Sequence, residues 1–306
     1  MLKILIAASV LMALAGCADV HVRMQDPKSG CGADRPFAEG GERATLWIRT
    51  SAEFRSLAEG IYRSALVSLQ QGISDRGWSA EPTQTRDFSS LPPAVVMDID
   101  ETVLDNSAPQ AQMLLKGTCP GDFEALWDAW IAERAAPAIP GAAAFIRAAR
   151  ESKDARGRSV RVFLITNREC KARAGAAAAC PQQDDTIANL RALGLDTPTL
   201  EEDLMMKGER PEWPSEKLSR RQSIARDYRI VLNVGDDLSD FIPDLRGNTL
   251  ADREHARCRH RNYWGERWIV IPNPIYGSWQ RAVGNDLGAA LEVPPPPDCD
   301  GASLAP

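Results

Sequence analysis

The stretch Val95-Val96-Met97-Asp98-Ile99-Asp100-Glu101-Thr102-Val103-Leu104-Asp105-Asn106 decides the architecture. Its first three residues are apolar and two of them β-branched, which suits a short strand buried on both faces. That strand runs straight into Asp98 and Asp100. Side chains alternate along extended chain, so residues two apart point the same way. Both carboxylates are therefore expected to leave the strand's end on one side. Like charges held that close repel unless a cation lies between them or one carries a proton. Asp-x-Asp alone could equally be a solvated turn after a strand; the whole run Asp-x-Asp-x-Thr-x-Leu-Asp-Asn is far more specific.

Outward from this strand the chain alternates strands with helices. Ala44 to Ile73 reads as helical, with Trp47, Phe54, Leu57, Ile61, Tyr62, Ala65 and Leu69 at three- and four-residue spacings and Ser51 as an N-cap. Their common face is read as packing surface. After Asn106 comes a helical insert over about 107–150, patterned around Phe123–Glu133, broken at Pro137 and Pro140-Gly141, and resumed over Ala142–Arg150. Arg161–Ile165 is a second buried strand ending in Thr166-Asn167-Arg168. A helix over Asp184–Leu193, stopped by Gly194, leads to a short third strand over Leu200–Met206. Ser215 is expected to cap a helix through Ala225. Ile230–Val234 is a fourth strand, ending in Gly235-Asp236-Asp237-Leu238-Ser239-Asp240, and Trp268–Ile271 a fifth. This alternation predicts an α/β fold, a parallel sheet with helices on both faces. Ligands of such sheets bind beyond the carboxyl ends of the strands, where the strand order reverses. Every polar cluster found here lies just after a strand.

Composition is ordinary for a globular protein of 306 residues, and a net charge of −6 gives no electrostatic reason to expect a nucleic-acid polymer as partner. Residues 1–17 read as an export signal: Lys3, an apolar run from Ile4 to Ala15 too short for a mature membrane span, then Leu14-Ala15-Gly16-Cys17. That ending resembles a bacterial lipobox, which implies cleavage before Cys17 and lipidation there; Ala18 in the next position implies the outer membrane. Residues 18–42 read as a tether, 43–290 as the folded domain, and the proline-rich 291–306 as disordered. Six cysteines remain after Cys17, namely Cys31, Cys119, Cys170, Cys180, Cys258 and Cys299. An even number in an exported chain suggests disulfides; proximity favours only Cys170–Cys180. No Cys-x-x-Cys supports a zinc site, and three histidines supply histidine chemistry poorly.

Asp98-x-Asp100-x-Thr102, the hydrophobic run ending in Thr166, Lys217, and Gly235-Asp236-x-x-x-Asp240 together resemble the four motifs of the haloacid dehalogenase (HAD) superfamily. The closer resemblance is to its class C bacterial acid phosphatases. It is carried also by Trp47-Ile48-Arg49-Thr50-Ser51-Ala52-Glu53-Phe54, Asp244-Leu245-Arg246-Gly247 and Pro272-Asn273-Pro274-Ile275-Tyr276-Gly277-Ser278-Trp279, and spans about Trp47 to Trp279. The resemblance implies a Rossmann-like core, with the first strand between the second and fourth, and a smaller helical cap and N-terminal helical region. It also implies a lipid-anchored 5′-nucleotidase or acid phosphatase working through an aspartyl phosphate. In that scheme Asp98 is the nucleophile, Asp100 the general acid and base, and Thr166, Asn167 and Lys217 the phosphate-binding groups. Asp98, the Asp100 carbonyl, Asp236 and Asp240 hold Mg²⁺, while Tyr276 and Trp279 are weaker substrate-binding candidates. Lys207 competes for the lysine role, but Lys217 matches the family's Lys-x-x-Arg through Arg220. An ammonium in a helix's first turn also opposes the helix dipole, which disfavours a merely solvated lysine there. Asp105 and Asn106 are read as bonding the turn, and Asp237 as a solvated loop carboxylate. Class C enzymes often carry an aromatic residue soon after Asp-Asn-Ser; Ala108 and Pro109 stand here instead, which argues against base stacking at this point.

A phosphomutase sharing the Asp-x-Asp chemistry is the enzymatic alternative, disfavoured by export. A non-catalytic ligand-binding lipoprotein on the same scaffold is the other. The lipobox makes its own prediction. Cys17→Ser should move the protein from the membrane to the soluble fraction with its specific activity intact, and unchanged membrane association on fractionation would remove the lipid assignment.

Overall fold

A computed structural model describes residues 36–85, 87–116, 123–245, 247–284, 287–294 and 299. The export signal, Cys17, most of the tether, Cys31, Cys119 and most of the tail lie outside the described residues.

Five parallel strands form one sheet in the order β3-β2-β1-β4-β5. They are β1 (Pro93–Met97), β2 (Arg161–Glu169), β3 (Leu204–Lys207), β4 (Arg229–Gly235) and β5 (Trp268–Val270). The fold is α/β, and β1 sits between β2 and β4, with Met97 paired to Leu164 on one side and to Val234 on the other. Every residue of β1 and β4 is buried, as strands covered on both faces require. Alternation sorts them: Val95, Met97, Val162, Leu164, Leu204 and Met206 join one core, while Ala94, Val96, Phe163, Ile165 and Met205 join the other.

Two helices, not one, open the described chain: α1 (Pro36–Thr50) and α2 (Ala52–Ser74). Ser51 separates them because its Oγ accepts the Phe54 N–H at 3.1 Å and caps α2. The last residues of the presumed tether are thus helical. On α2 the buried stripe runs Phe54, Ala58, Tyr62, Ala65 and Leu69, whereas Leu57 is exposed. Between β1 and β2 lie α3 (Ser107–Lys116), α4 (Phe123–Glu133) and α5 (Ala142–Glu151). Gly141 starts α5 at φ +90°, and a Cβ there would press on Tyr62 at 3.0 Å. Next come α6 (Pro181–Ala192), with proline in its first turn, and α7 (Leu200–Asp203). The segment read as one strand over Leu200–Met206 is therefore half helical turn. Glu202 and Asp203 belong to that turn because they pair with Arg161 of β2, at 2.9 and 2.5 Å. The helix α8 (Leu218–Ala225) starts three residues past Ser215, with Lys217 at its N-cap position. The sequence reading missed α9 (Leu250–Arg259), although Thr249-x-x-Asp252 forms a capping box that announces it, and the two short helices after β5. The short α10 (Trp279–Val283) and α11 (Leu287–Glu292) end the described fold. Disulfides join Cys170 to Cys180 and Cys258 to Cys299, so at least Cys299 of the tail is tied to α9.

The buried guanidinium of Arg229, at the start of β4, secures the frame. It donates to the carbonyls of Gly72 (2.7 Å) and Ile73 (3.2 Å) in the last turn of α2 and of Asp75 (2.6 Å) and Trp78 (3.0 Å) in the turn that follows. Arg229→Met should strand those carbonyls and cost about 2–3 kcal/mol. A urea titration with disulfides intact measures this, and an unchanged midpoint would show the clamp to be idle.

Candidate active site

The order β3-β2-β1-β4-β5 reverses direction between β1 and β4, and the ligand crevice of an open parallel sheet lies at such a point. Asp98 leaves β1 there, its N–H donating to the Val234 carbonyl at 2.9 Å, and Asp236 follows the last residue of β4. A single turn of 3₁₀ helix, Leu238–Asp240, folds Asp240 back towards them. It can do so because residue 235 is glycine: a Cβ there would collide with the Asp240 carboxylate. Oxygens of Asp98, Asp236 and Asp240 consequently lie within 4.8 Å of one another.

Lys217 answers this crowding. Its buried ammonium touches the Asp98 carboxylate directly and lies 2.6 Å from Asp240. Lys207, the competing lysine, instead pairs with Glu169 at 3.1 Å at the outer end of β3. The Asp98 carboxyl is raised to about 7: burial lifts it most, Lys217 pulls it down, and Asp240 and Asp100 add to the rise. Asp236 is raised well above the carboxylate range by burial, then by Asp240 and Asp98. Burial alone would lower Lys217, but Asp240 and Asp98 outweigh it and the net shift is upward. Three carboxylates against one ammonium leave negative charge that protons or a cation must offset. This all-oxygen set, with Asp236 held by Asn273 Nδ2 at 2.8 Å and by the Thr102 hydroxyl at 3.4 Å, fits a hard divalent cation.

Asp100 reaches the same edge but has its own partners. Its Oδ1 accepts from Arg168 Nη2 (2.8 Å), Arg168 Nε (3.0 Å) and Asn106 Nδ2 (3.0 Å), and its Oδ2 from the Thr166 hydroxyl (3.1 Å). The sequence reading missed Arg168. The signal was present, since β2 continues to Glu169 and Thr166 and Arg168 are two apart on one face. Asn167, between them, is exposed, and its Oδ1 accepts from Arg220 at 3.0 Å. Asn106 both bonds the turn and touches Asp100, while Asp105 accepts the Ser107 N–H at 2.8 Å. The intervening Glu101 adopts φ +59°, and its buried carboxyl is raised by burial and then by Asp100.

Asp237 is not the solvated carboxylate its place in a loop suggests. Its two oxygens accept from the Ser278 N–H (2.5 Å) and hydroxyl (2.6 Å) and from the Ser239 N–H (2.8 Å) and hydroxyl (2.7 Å). Burial raises its pKa, but those bonds to Ser278 and Ser239 outweigh it and the net shift is downward. The carboxylate thus latches the 272–278 loop, which carries Asn273, to the end of β4. Tyr276, beyond Asn273, is half-buried against the core, and Trp279 is 38% exposed. Neither contacts the aspartate cluster among the described interactions. A cleft of about 580 Å³ lies instead against Arg43, Ala44, Trp47, Pro272, Asn273 and Pro274. Trp47, read as packing, does pack edge-on against Phe54 at 5.4 Å, but it also lines this cleft beside the residue that holds Asp236.

A crystal structure of the class C acid phosphatase from Bacillus anthracis with tungstate bound superposes with a TM-score of 0.62 at 28% identity, covering 82% of this chain and 93% of that one. A second structure of the class C acid phosphatase from that organism gives 0.61 at 29% identity over the same shares. Residues 78–279 match the family described as HAD superfamily, subfamily IIIB (acid phosphatase). The chain belongs to that family and is a HAD-type hydrolase of phosphomonoesters.

Proposed function

We propose that this protein is a lipid-anchored, Mg²⁺-dependent phosphatase of the bacterial outer membrane that acts on 5′-nucleotides. The observation that carries the catalytic part is the meeting of Asp98, Asp236, Asp240 and Lys217 at one sheet edge. The class C acid phosphatase from Bacillus anthracis has been seen with tungstate bound, a tetrahedral oxyanion like phosphate, which supports a phosphate-ester substrate here. The anchor rests on Leu14-Ala15-Gly16-Cys17. The nucleotide preference rests on the family resemblance and on the cleft, where Trp47 offers a flat apolar face and Arg43 a cation to the leaving group.

Asp98 attacks phosphorus, and the ester bond to the leaving oxygen breaks as the aspartyl phosphate forms. Asp100, protonated for this step, gives its proton to that oxygen. As a carboxylate it then takes a proton from the water that attacks the intermediate, releasing phosphate and restoring Asp98. Of the three donors on Lys217, two are engaged by Asp98 and Asp240, which leaves the third for a phosphoryl oxygen. Asn167, with its Oδ1 taken, presents its N–H group to a second oxygen. Thr166 has one hydroxyl proton, now on Asp100, and must turn it to serve the phosphate. Family members generally use a divalent metal, which here Asp98, Asp236, Asp240 and the Asp100 carbonyl would hold; when bound it neutralises charge between the anionic nucleophile and the phosphate.

Phosphate release from nucleoside 5′-monophosphates, sugar phosphates and aryl phosphates tests this reading. Chelation should abolish release and Mg²⁺ restore it; full activity in a metal-free sample would sink the metal assignment. Nucleotides should be cleaved with the highest kcat/KM, and a preference for sugar phosphates would overturn the substrate class. Asp98→Asn should lower kcat at least about 10³-fold. It should remain folded, because Lys217 keeps Asp240 as partner.

A further inference from the structure

Among the described residues Arg168 is the one cation bonded to Asp100, and it is enclosed: its side chain is 1% exposed, while that of Asp100 is 15% exposed. Each of its three nitrogens has a partner. Nε and Nη2 hold Asp100, Nη1 donates to the Thr186 hydroxyl of α6 at 3.0 Å, and Nη2 also approaches Asn106 Oδ1 at 3.5 Å. Asn106 is fixed in turn by Trp130 Nε1 of α4 at 2.8 Å and by the buried Glu101, whose Oε1 accepts the Asn106 N–H at 2.9 Å. The Asp100 carboxyl is therefore gripped by a planar fork beneath and an amide beside it, both anchored in helices outside the sheet.

From this we propose that Arg168 is a positioning residue for Asp100: it sets the orientation in which that carboxyl delivers and retrieves its proton, with Asn106 as the second arm of the clamp. The proposal rests on the reading of Asp100 as general acid and base. Arg168 itself transfers no proton, because a guanidinium does not give one up in a protein. It is not read as binding the phosphate either, since its side chain is 1% exposed and each of its nitrogens already has a partner. A lysine could match its charge but not its fork. Orientation matters because a misplacement of about 1 Å in a reacting group can cost about 10²-fold in rate.

If Arg168 works only through Asp100, losing it should harm the substrates that need a proton and spare those that do not. The measurement is the burst-phase rate with a nucleoside 5′-monophosphate and with p-nitrophenyl phosphate, whose leaving group needs little protonation. It is made for the wild type, Arg168→Gln, Arg168→Lys, Asp100→Asn, and the double variant Arg168→Gln/Asp100→Asn. Arg168→Gln should slow the nucleotide about 10²-fold and p-nitrophenyl phosphate several-fold at most, Arg168→Lys should not rescue, and the double variant should be no slower than Asp100→Asn alone. Equal slowing of both substrates by Arg168→Gln, or multiplication of the two losses in the double variant, would overturn the positioning role. If Asp100→Asn itself slows both substrates equally, the acid–base reading fails and the proposal falls with it. If Asp100→Asn discriminates but Arg168→Gln does not, the positioning role alone is wrong. Should Arg168→Gln fail to fold, Thr186→Val removes just the bond that braces Nη1. A smaller loss confined to the nucleotide then supports the clamp, and no loss refutes it.

Discussion

The architecture of the active edge depends on one ammonium held between two carboxylates. Asp98 and Asp236 stand at the ends of adjacent parallel strands, and the turn after β4 returns Asp240 to the same spot. Without a cation these groups would repel each other in a setting where burial already disfavours their charge. Lys217 supplies it from the start of α8, and α8 is pinned by the two arginines that follow. Arg220 donates to the Thr166 carbonyl at 2.7 Å and the Pro214 carbonyl at 2.8 Å; Arg221 donates to the Asp240 carbonyl at 2.6 Å and pairs with Glu81 at 2.7 Å. The lysine is thus delivered by a helix end whose own anchors are the strand and loop that it neutralises.

The same edge divides into two electrostatic halves. Lys217 serves Asp98 and Asp240, and Arg168 serves Asp100. Dividing the cations this way keeps Asp98 and Asp100 from competing for one partner. The cost is an unusual number of buried guanidiniums: Arg168, Arg220 and Arg229 are among the largest fully buried side chains. Each is tolerated because carbonyls, carboxylates or hydroxyls meet its terminal nitrogens, although Nε of Arg220 and of Arg229 is buried without a hydrogen-bond partner. Burial leaves its mark on Arg220, whose pKa falls to about 10 through desolvation despite the nearby Asp98 and Asp240.

Around this centre the loops are latched rather than loose. Asp237 ties the 272–278 loop to β4, which places Asn273 on Asp236. Arg173 and Arg134 bind Asp185 on α6, and Arg173 also binds Asp128 on α4, so the helical insert is bound to the segment after β2. The Cys170–Cys180 bridge closes that segment.

What the sequence alone determined is what short-range physics writes into it. Apolar runs located the strands, although β2 runs four residues beyond the run that announced it, and a three-residue spacing identified Ser51 as a cap. A ten-residue spacing singled out Cys170 with Cys180, and the aspartates that end the strands were in plain view. Where local pattern was ambiguous it misled: Leu200–Asp203 is as apolar and acidic as a strand start, yet pairing with Arg161 makes it a helical turn. Tertiary structure decided everything that depends on which strands are neighbours. Lys217 meets Asp98 across 119 residues, Arg168 meets Asp100 across 68, and Asp237 meets Ser278 across 41. At such separations no periodicity links the partners. They are brought together because the strand order reverses between β1 and β4, and buried charges in that crevice persist only where an opposite charge or a donor has been packed against them.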